Sequence, residues 1–327
     1  MQKVRAIRFS RTGGPEVLTW DEVSLGSPAA GQVHVKHTAV GLNFIDVYHR
    51  TGLYPVQSLP SGIGLEAAGV VEAVGEGVTE FAVGDRVAYG TGPIGAYSEI
   101  RNIAADKIVK IPDGVEDRTA AAIMLKGLTA QYLLRRTYRV KAGDTILVHA
   151  VAGGVGLLLC QWAKHLGATV IGTVGSTAKS EIARAHGCDH TILYRVTDVA
   201  KRVRELTGGA GVPVVYDGVG KDTFAASLDS LAPLGVMVSF GNASGPVPSF
   251  DPLVLSQKGS LFFTRPTLMH YTAKREDLLA MAAELFEVVQ SGAVKVEINQ
   301  TYRLFDAAHA HRDLESRKTT GSSVLTP

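Results

Sequence analysis

From Thr145 to Ala163 the chain runs for 19 residues without a formally charged side chain, and the middle of that run reads HAVAGGVG, residues 149 to 156. A stretch this apolar either crosses a membrane or sits in a core. Its interior decides the matter. Gly153, Gly154 and Gly156 interrupt the run and His149, Gln161 and Trp162 lie within it, so a buried strand over 145–150 followed by a helix over 155–166 accounts for both halves, and no membrane span is expected. Strand, glycine turn and helix in that order make a phosphate cradle. In the G-x-G-x-x-G spelling the glycines serve the tight turn, the approach of backbone to pyrophosphate, and close helix–strand packing. Here Val151 stands in the first glycine's place, Ala150 can serve the turn, and Gly153 and Gly156 keep the other two roles. The backbone of Ala152, Gly153, Gly154 and Val155, at the positive end of the helix, is the expected phosphate contact.

From about Leu125 onward, strand-like and helix-like stretches alternate, which predicts a parallel sheet of βαβ units. Strands are expected over 145–150, 169–174, 190–193, 214–216, 236–240 and 261–264, and helices over 155–166, 179–186, 199–207 and 222–231. Gly167, Gly187 and Gly208 stand where helices tend to end. Six strands suit a dinucleotide fold. The second of them selects the cofactor. An NAD site commonly places a carboxylate about 20 residues past the glycine motif, to bind the ribose 2′-hydroxyl. Between Thr169 and Ser180 there is no acid; Gly175, Ser176, Thr177 and Lys179 occupy the region instead, a set suited to a 2′-phosphate, so NADPH is expected.

Up to about residue 125 the texture differs, with short β-like runs separated by Gly75-Glu76-Gly77, Gly84-Asp85 and Pro112-Asp113-Gly114. Val33, Val35 and Ala39 alternate with His34, Lys36 and Thr38, as in a small antiparallel barrel. After Pro266, a helix carrying Leu278, Ala282, Leu285, Phe286 and Val289 on one face follows Thr272, a candidate cap. Strands over 295–298 and 322–325, flanking a helix over 306–315, predict a return to the first domain. The expected division is therefore 1–125, completed by 267–327, and a cofactor domain over 126–266.

Composition narrows the function classes. Thirty-three Lys and Arg against 31 Asp and Glu give a formal charge of +2, no electrostatic footprint for nucleic acid. Cys160 and Cys188 are too few for a disulfide framework or a four-cysteine zinc knot, and with no signal-like apolar run in MQKVRAIRFS a reducing, cytoplasmic setting is expected. His186, Cys188 and His190 form a tempting H-x-C-x-H group, but they span an expected helix-to-strand turn; His309 and His311 are likewise read as incidental.

GLNFID at 41–46, GLEAAG at 64–69, GDRV at 84–87 and LKGLTA at 125–130, ahead of the βαβ region, resemble the medium-chain dehydrogenase/reductase superfamily. The loop spelling, VYDGVG at 215–220, VSFGNASG at 238–245 and FFTRP at 262–266 are similar to its ζ-crystallin branch of quinone oxidoreductases. The resemblance implies an α/β chain, a GroES-like β-barrel catalytic domain plus a Rossmann-type doubly wound parallel-sheet cofactor domain. Zinc-dependent relatives place a cysteine and a histidine as metal ligands where this chain has Asn43 and Leu65, so no metal is expected.

By the same resemblance Asn43 and Tyr48 are the candidate catalytic residues, one donating to a quinone oxygen and the other orienting it or supplying a proton. Lys126 and Thr129 are implied near the nicotinamide ribose and phosphates, and Tyr194 near the adenosine phosphate. Gly218, Phe240, Gly241 and Asn242 fall at strand ends, where ligands bind in open parallel sheets. Phe263 and Thr264, with Arg265 beside them, match backbone that holds the carboxamide. Arg317 resembles a tail arginine that reaches the cofactor. Asp46 and Glu66 are read as structural polar residues. A homodimer through the edge strand of the cofactor domain is expected. The implied activity is NADPH-dependent, metal-free reduction of a quinone. An enal or enone double-bond reductase and a non-catalytic NADPH-binding or RNA-binding protein are the alternatives.

Overall fold

The computed structural model describes all 327 residues. The first stretch of the chain contributes β1 (Gln2–Phe9), β2 (Thr19–Leu25), β3 (Gln32–Leu42), α1 (Phe44–Thr51), β4 (Ser61–Gly62), β5 (Glu66–Val74), β6 (Arg86–Tyr89), β7 (Ile100–Ala104), β8 (Val109–Lys110) and α2 (Asp117–Tyr132). The middle adds β9 (Thr145–Val148), α3 (Gly154–His165), β10 (Thr169–Val174), α4 (Thr177–Ala185), β11 (His190–Leu193), α5 (Val199–Leu206) and β12 (Val212–Asp217). It continues through α6 (Phe224–Ser230), β13 (Leu231–Ser239), α7 (Leu253–Gln257), β14 (Phe262–Thr264) and α8 (Leu268–Tyr271). The return consists of α9 (Arg275–Gln290), β15 (Ile298–Arg303), α10 (Ala307–Glu315) and β16 (Ser322–Thr326). Two compact units result, one of residues 1–128, 271–290 and 296–327, the other of residues 129–270 and 291–295.

In the second unit six parallel strands run in the order β11-β10-β9-β12-β13-β14, the doubly wound arrangement of a dinucleotide fold. Ile146, Leu147 and Val148 of β9 are all fully buried, as both faces of a parallel sheet must be. Helices end where the glycines permit: Gly167, Gly187 and Gly208 have φ of 85°, 87° and 60°. The Ser176 hydroxyl accepts from Lys179 N at 3.3 Å to cap α4.

The first unit holds a three-stranded sheet, β2-β1-β4, and a seven-stranded sheet, β15-β16-β3-β5-β6-β8 with β7 on β3. Simple alternation along β3 fails. His34 and His37 are buried along with Val33 and Val35, because register shifts at His34/Val35 and His37/Ala39 turn extra residues inward. Phe9, Val33, Val35, Val40, Ile63, Tyr89 and Leu325 share one core cluster.

Two expected features move. Helix α9 starts at Arg275, three residues beyond Thr272. The strand expected over 295–298 begins only at Ile298. Lys295 instead donates its N–H to Gln161 Oε1 at 2.9 Å and its carbonyl accepts from Gln161 Nε2 at 3.0 Å, leaving neither group for a ladder. No helix is long and apolar enough to cross a membrane.

Candidate active site

The first unit gathers its buried polar groups around α1. Asn43 precedes the helix and gives its backbone N–H to Asp46 Oδ2 at 2.9 Å, while its side-chain Nδ2 donates to Glu66 Oε2 at 2.8 Å. Glu66, fully buried, also accepts from Lys126 Nζ at 2.8 Å and from Leu125 N at 2.7 Å. Three donors on one carboxylate hold it as an acceptor. The Asn43 amide therefore has one N–H fixed and a second to offer. Tyr48 is buried on α1, with ring centroids 5.1 Å from Tyr54 and 6.2 Å from Phe44.

Asp46 is fully buried, and burial pushes its carboxyl up to about 7 despite the opposing Asn43 N–H and Tyr97 O–H bonds. Its Oδ2 accepts from Tyr97 Oη at 2.9 Å, and its Oδ1 has no partner. Tyr97 Oη lies 3.2 Å from His311 Nε2, and His311 Nδ1 lies 3.0 Å from Arg50 Nη1. A guanidinium only donates, so Nδ1 must be the bare nitrogen and Nε2 must carry the proton. The chain is thus directed: Arg50 to His311, His311 to Tyr97, Tyr97 to Asp46. Burial and the Arg50 charge press His311 down to about 3, keeping it neutral. Arg50 in turn holds Glu315 through both guanidinium nitrogens, at 2.9 and 2.7 Å.

His311 is therefore not incidental. It is fully buried on the face of α10 that carries Ala307 and Ala310, and that helical spacing was the signal for it. Glu66 and Asp46 belong to the polar cluster as well as to the frame. Arg317 follows α10 in the left-handed region, φ 59°, with its N–H on Leu314 O and the Lys318 N–H on Asp313 O, the Schellman pattern.

In the second unit the expected phosphate loop, residues 149–156, runs through a tight turn between β9 and α3. Ala150 takes φ 52° at the turn. A Cβ on Gly156 would lie 2.5 Å from Ala150 O and 2.6 Å from Val151 O, so only glycine lets α3 rest on the loop. A Cβ on Gly153 would meet only Ala150 O, at 3.3 Å, so the space above that residue is open. Ala152 is buried beneath, and Gly154 and Val155 open α3.

At the end of β10, Ser176 and Thr177 are exposed and Lys179 half-buried, with Tyr194 Oη placed 2.8 Å from a Cβ built on Gly175. The Phe240 ring stands 3.0 Å from a Cβ on Gly218, and Gly241 packs on Gly218 O. Arg265 Nη1 donates to Ser239 O at 2.7 Å; its Nη2 donates to the Asn242 side-chain oxygen at 3.1 Å when that amide nitrogen faces Gly241 O. Phe263 turns its ring onto Phe250 and Phe224, leaving its backbone and that of Thr264 at the strand end. Thr129 is buried on α2.

Residues 29–113 match the alcohol dehydrogenase GroES-like domain and residues 154–287 the zinc-binding dehydrogenase domain. A quinone oxidoreductase of Pseudomonas aeruginosa is 57% identical over 323 residues, 99% of each chain. The chain belongs to the medium-chain dehydrogenase/reductase family, in its quinone oxidoreductase branch. Another relative, the Escherichia coli quinone oxidoreductase solved in complex with NADPH, superposes with a TM-score of 0.97 at 50% identity, over 99% of this chain and 100% of that one. A 2-haloacrylate reductase of a Burkholderia species is 48% identical over 333 residues, 99% of each chain. Zinc ligation, which one matched domain is named for, finds at its two expected positions an amide bound to Glu66 and a buried leucine with no lone pair. No group of three or more His, Cys, Asp or Glu side chains stands together in a way that could hold a metal ion.

Proposed function

We infer that this chain is an NADPH-dependent quinone reductase. The observation that carries the cofactor is the end of β10 beside the open glycine cradle: two hydroxyls and a lysine, with no carboxylate between Thr169 and Ser180. A 2′-phosphate finds there a cation and O–H donors, where a carboxylate would repel it. When bound, NADPH supplies the hydride. The Ala150–Gly156 loop and the α3 N-terminus hold the pyrophosphate, Tyr194 covers the adenosine side at Gly175, and the Phe240–Asn242 and Phe263–Arg265 backbones receive the nicotinamide end.

Asn43 and Tyr48 serve the acceptor. Glu66 and Lys126 fix the Asn43 amide so that its second N–H is offered to an acceptor oxygen without a rotamer search, and Tyr48 orients that oxygen from the next turn of α1. A quinone gains aromaticity on reduction and needs little polarisation beyond this. The likeness to a reductase of haloacrylates, whose alkene is conjugated to a carboxylate, favours a second reading in which an activated carbon–carbon double bond takes the hydride. Quinone oxidoreductases match at higher identity, so the quinone is the main reading.

A homodimer is proposed through β14, an end strand of the sheet bearing Phe262, 60% exposed. The residence is cytoplasmic, where NADPH is supplied and the free thiols Cys160 and Cys188 stay reduced. The test is NADPH and NADH oxidation with a panel of quinones and 2-haloacrylate, with and without chelator. Turnover of quinones with NADPH, unaffected by chelator, is expected. A strong preference for the haloacrylate would transfer the assignment to the second reading. Sedimentation equilibrium of the wild type and of Phe262→Glu checks the dimer.

A further inference from the structure

Beneath the phosphate loop lies a second directed chain of buried side chains. Thr173 Oγ1 accepts from Ala150 N at 3.1 Å and stands 3.1 Å from His149 Nδ1; His149 Nε2 stands 3.0 Å from Ser227 Oγ, which is 2.9 Å from Asp217 Oδ2. Thr173, His149, Ser227 and Asp217 are each at most 2% exposed. Asp217 also accepts from Thr223 Oγ1 at 2.7 Å, Val219 N at 2.7 Å and Gly220 N at 3.0 Å.

Four donors on one side chain mark Asp217 as a carboxylate, which only accepts. Ser227 must then donate to Asp217, and its lone pair takes the Nε2 proton of His149. His149, neutral because burial lowers its basicity, keeps Nδ1 bare for the Thr173 hydroxyl proton. Donating to His149 leaves the Thr173 oxygen free to accept, and it takes the Ala150 N–H. The Thr173 carbonyl also accepts from Val151 N at 3.2 Å. One residue thus ties down two successive amides of the cofactor turn.

Ala150 needs such a tie. Its φ of 52° lies in the left-handed region that a side chain with a Cβ avoids. We propose that Thr173, His149, Ser227 and Asp217 are positioning residues for the cofactor: they lock Ala150 in its left-handed conformation and so preset the amides of the pyrophosphate cradle. All four are buried, so their effect is exerted through the Ala150 and Val151 amides. The proposal rests on the reading that this loop binds NADPH.

Thr173→Val keeps the shape and removes the hydroxyl; Thr173→Ser restores it. Expected is a rise of about tenfold in the NADPH Kd and KM of Thr173→Val, the size of one lost hydrogen bond of this kind. The kcat and the quinone KM stay within about twofold, and Thr173→Ser recovers about wild-type affinity. A general weakening of the fold would lower kcat as well and would not discriminate between Val and Ser. Unchanged NADPH affinity in Thr173→Val, or equal losses in Val and Ser, overturns the proposal. Nitrogen NMR of the wild-type protein gives a check that needs no variant: His149 must carry its proton on Nε2, and a proton on Nδ1 breaks the chain. Failure of the wild type itself to bind NADPH would overturn the functional reading as well, and with it the ligand of this proposal.

Discussion

Asp46→Asn isolates the energetic consequence of burying a carboxyl on α1. In the folded chain burial raises Asp46 from 3.8 to about 7, so between those values the folded state holds a proton that the unfolded state has released. The stability associated with this group is fully present below the unfolded value and is lost as pH rises through about 7. The shift is worth about 4 kcal/mol in all, of which about 3 kcal/mol falls between pH 5 and pH 8. Asparagine does not titrate. Its carbonyl oxygen can still accept from Asn43 N and Tyr97 Oη, and its NH2 takes the place of the unpartnered Oδ1 at a penalty of about 1–3 kcal/mol that does not vary with pH. The stability of Asp46→Asn relative to wild type therefore climbs by about 3 kcal/mol from pH 5 to pH 8. The assay is urea unfolding in a Trp162→Phe background, where Trp20 reports on the unit that contains Asp46. Subtracting the two profiles cancels every other titrating group. Parallel profiles, within about 0.5 kcal/mol across that range, would refute the claim that Asp46 is held protonated by burial.

Lys179→Ala should weaken NADPH by about tenfold while leaving NADH within about twofold, the mark of one lost charge-assisted bond to a 2′-phosphate; equal losses in titration calorimetry would remove the lysine from that role. Asn43→Asp sets a second carboxyl against Glu66, where an N–H donor stood 2.8 Å away. Quinone kcat/KM should drop by about two orders of magnitude, most steeply above neutral pH, with NADPH affinity kept; a pH-independent loss counts against the amide donor. Gly156→Ala drives a methyl into the Ala150 and Val151 carbonyl oxygens, so NADPH binding should be lost to equilibrium dialysis while quinone fluorescence quenching persists; retained NADPH binding would show that the helix can lift off the loop without consequence.

What the sequence revealed and what it hid divide by the range of the contacts involved. The glycine cradle was legible because all its parts lie within residues 149–156 and its requirements are steric and local. The six-strand sheet was legible from alternating periods. The β15 edge was not: Ile298–Arg303 alternates half-buried with exposed positions and is largely polar, while the more β-like Lys295 is captured by Gln161 of α3. His311 was misread because its partners are Tyr97, 214 positions away, and Arg50, 261 positions away. Thr173 looked like any strand threonine. Its hydroxyl matters only because β10 places it beside the turn after β9, a relation fixed by sheet register and not by spacing.

The two buried chains run in one direction each, and that bears on where a proton for the reduced acceptor can come from. A conducting wire must be refilled at its far end. For Asp46 to be resupplied, Tyr97 would pass it a proton, His311 would pass Nε2–H to Tyr97, and Nδ1 would draw on Arg50, whose guanidinium does not deprotonate in proteins. The shift would leave His311 an imidazolate in the core, so the chain orients Asp46 and α1 without conducting. The same holds beneath the glycine turn, where the donor end is the Ala150 amide N–H, which does not release its proton. Both chains therefore convert buried polarity into fixed geometry, one for the helix that carries Asn43 and Tyr48, the other for the glycine turn between β9 and α3. The proton is left to groups in reach of solvent, and the interior to holding the reacting partners still.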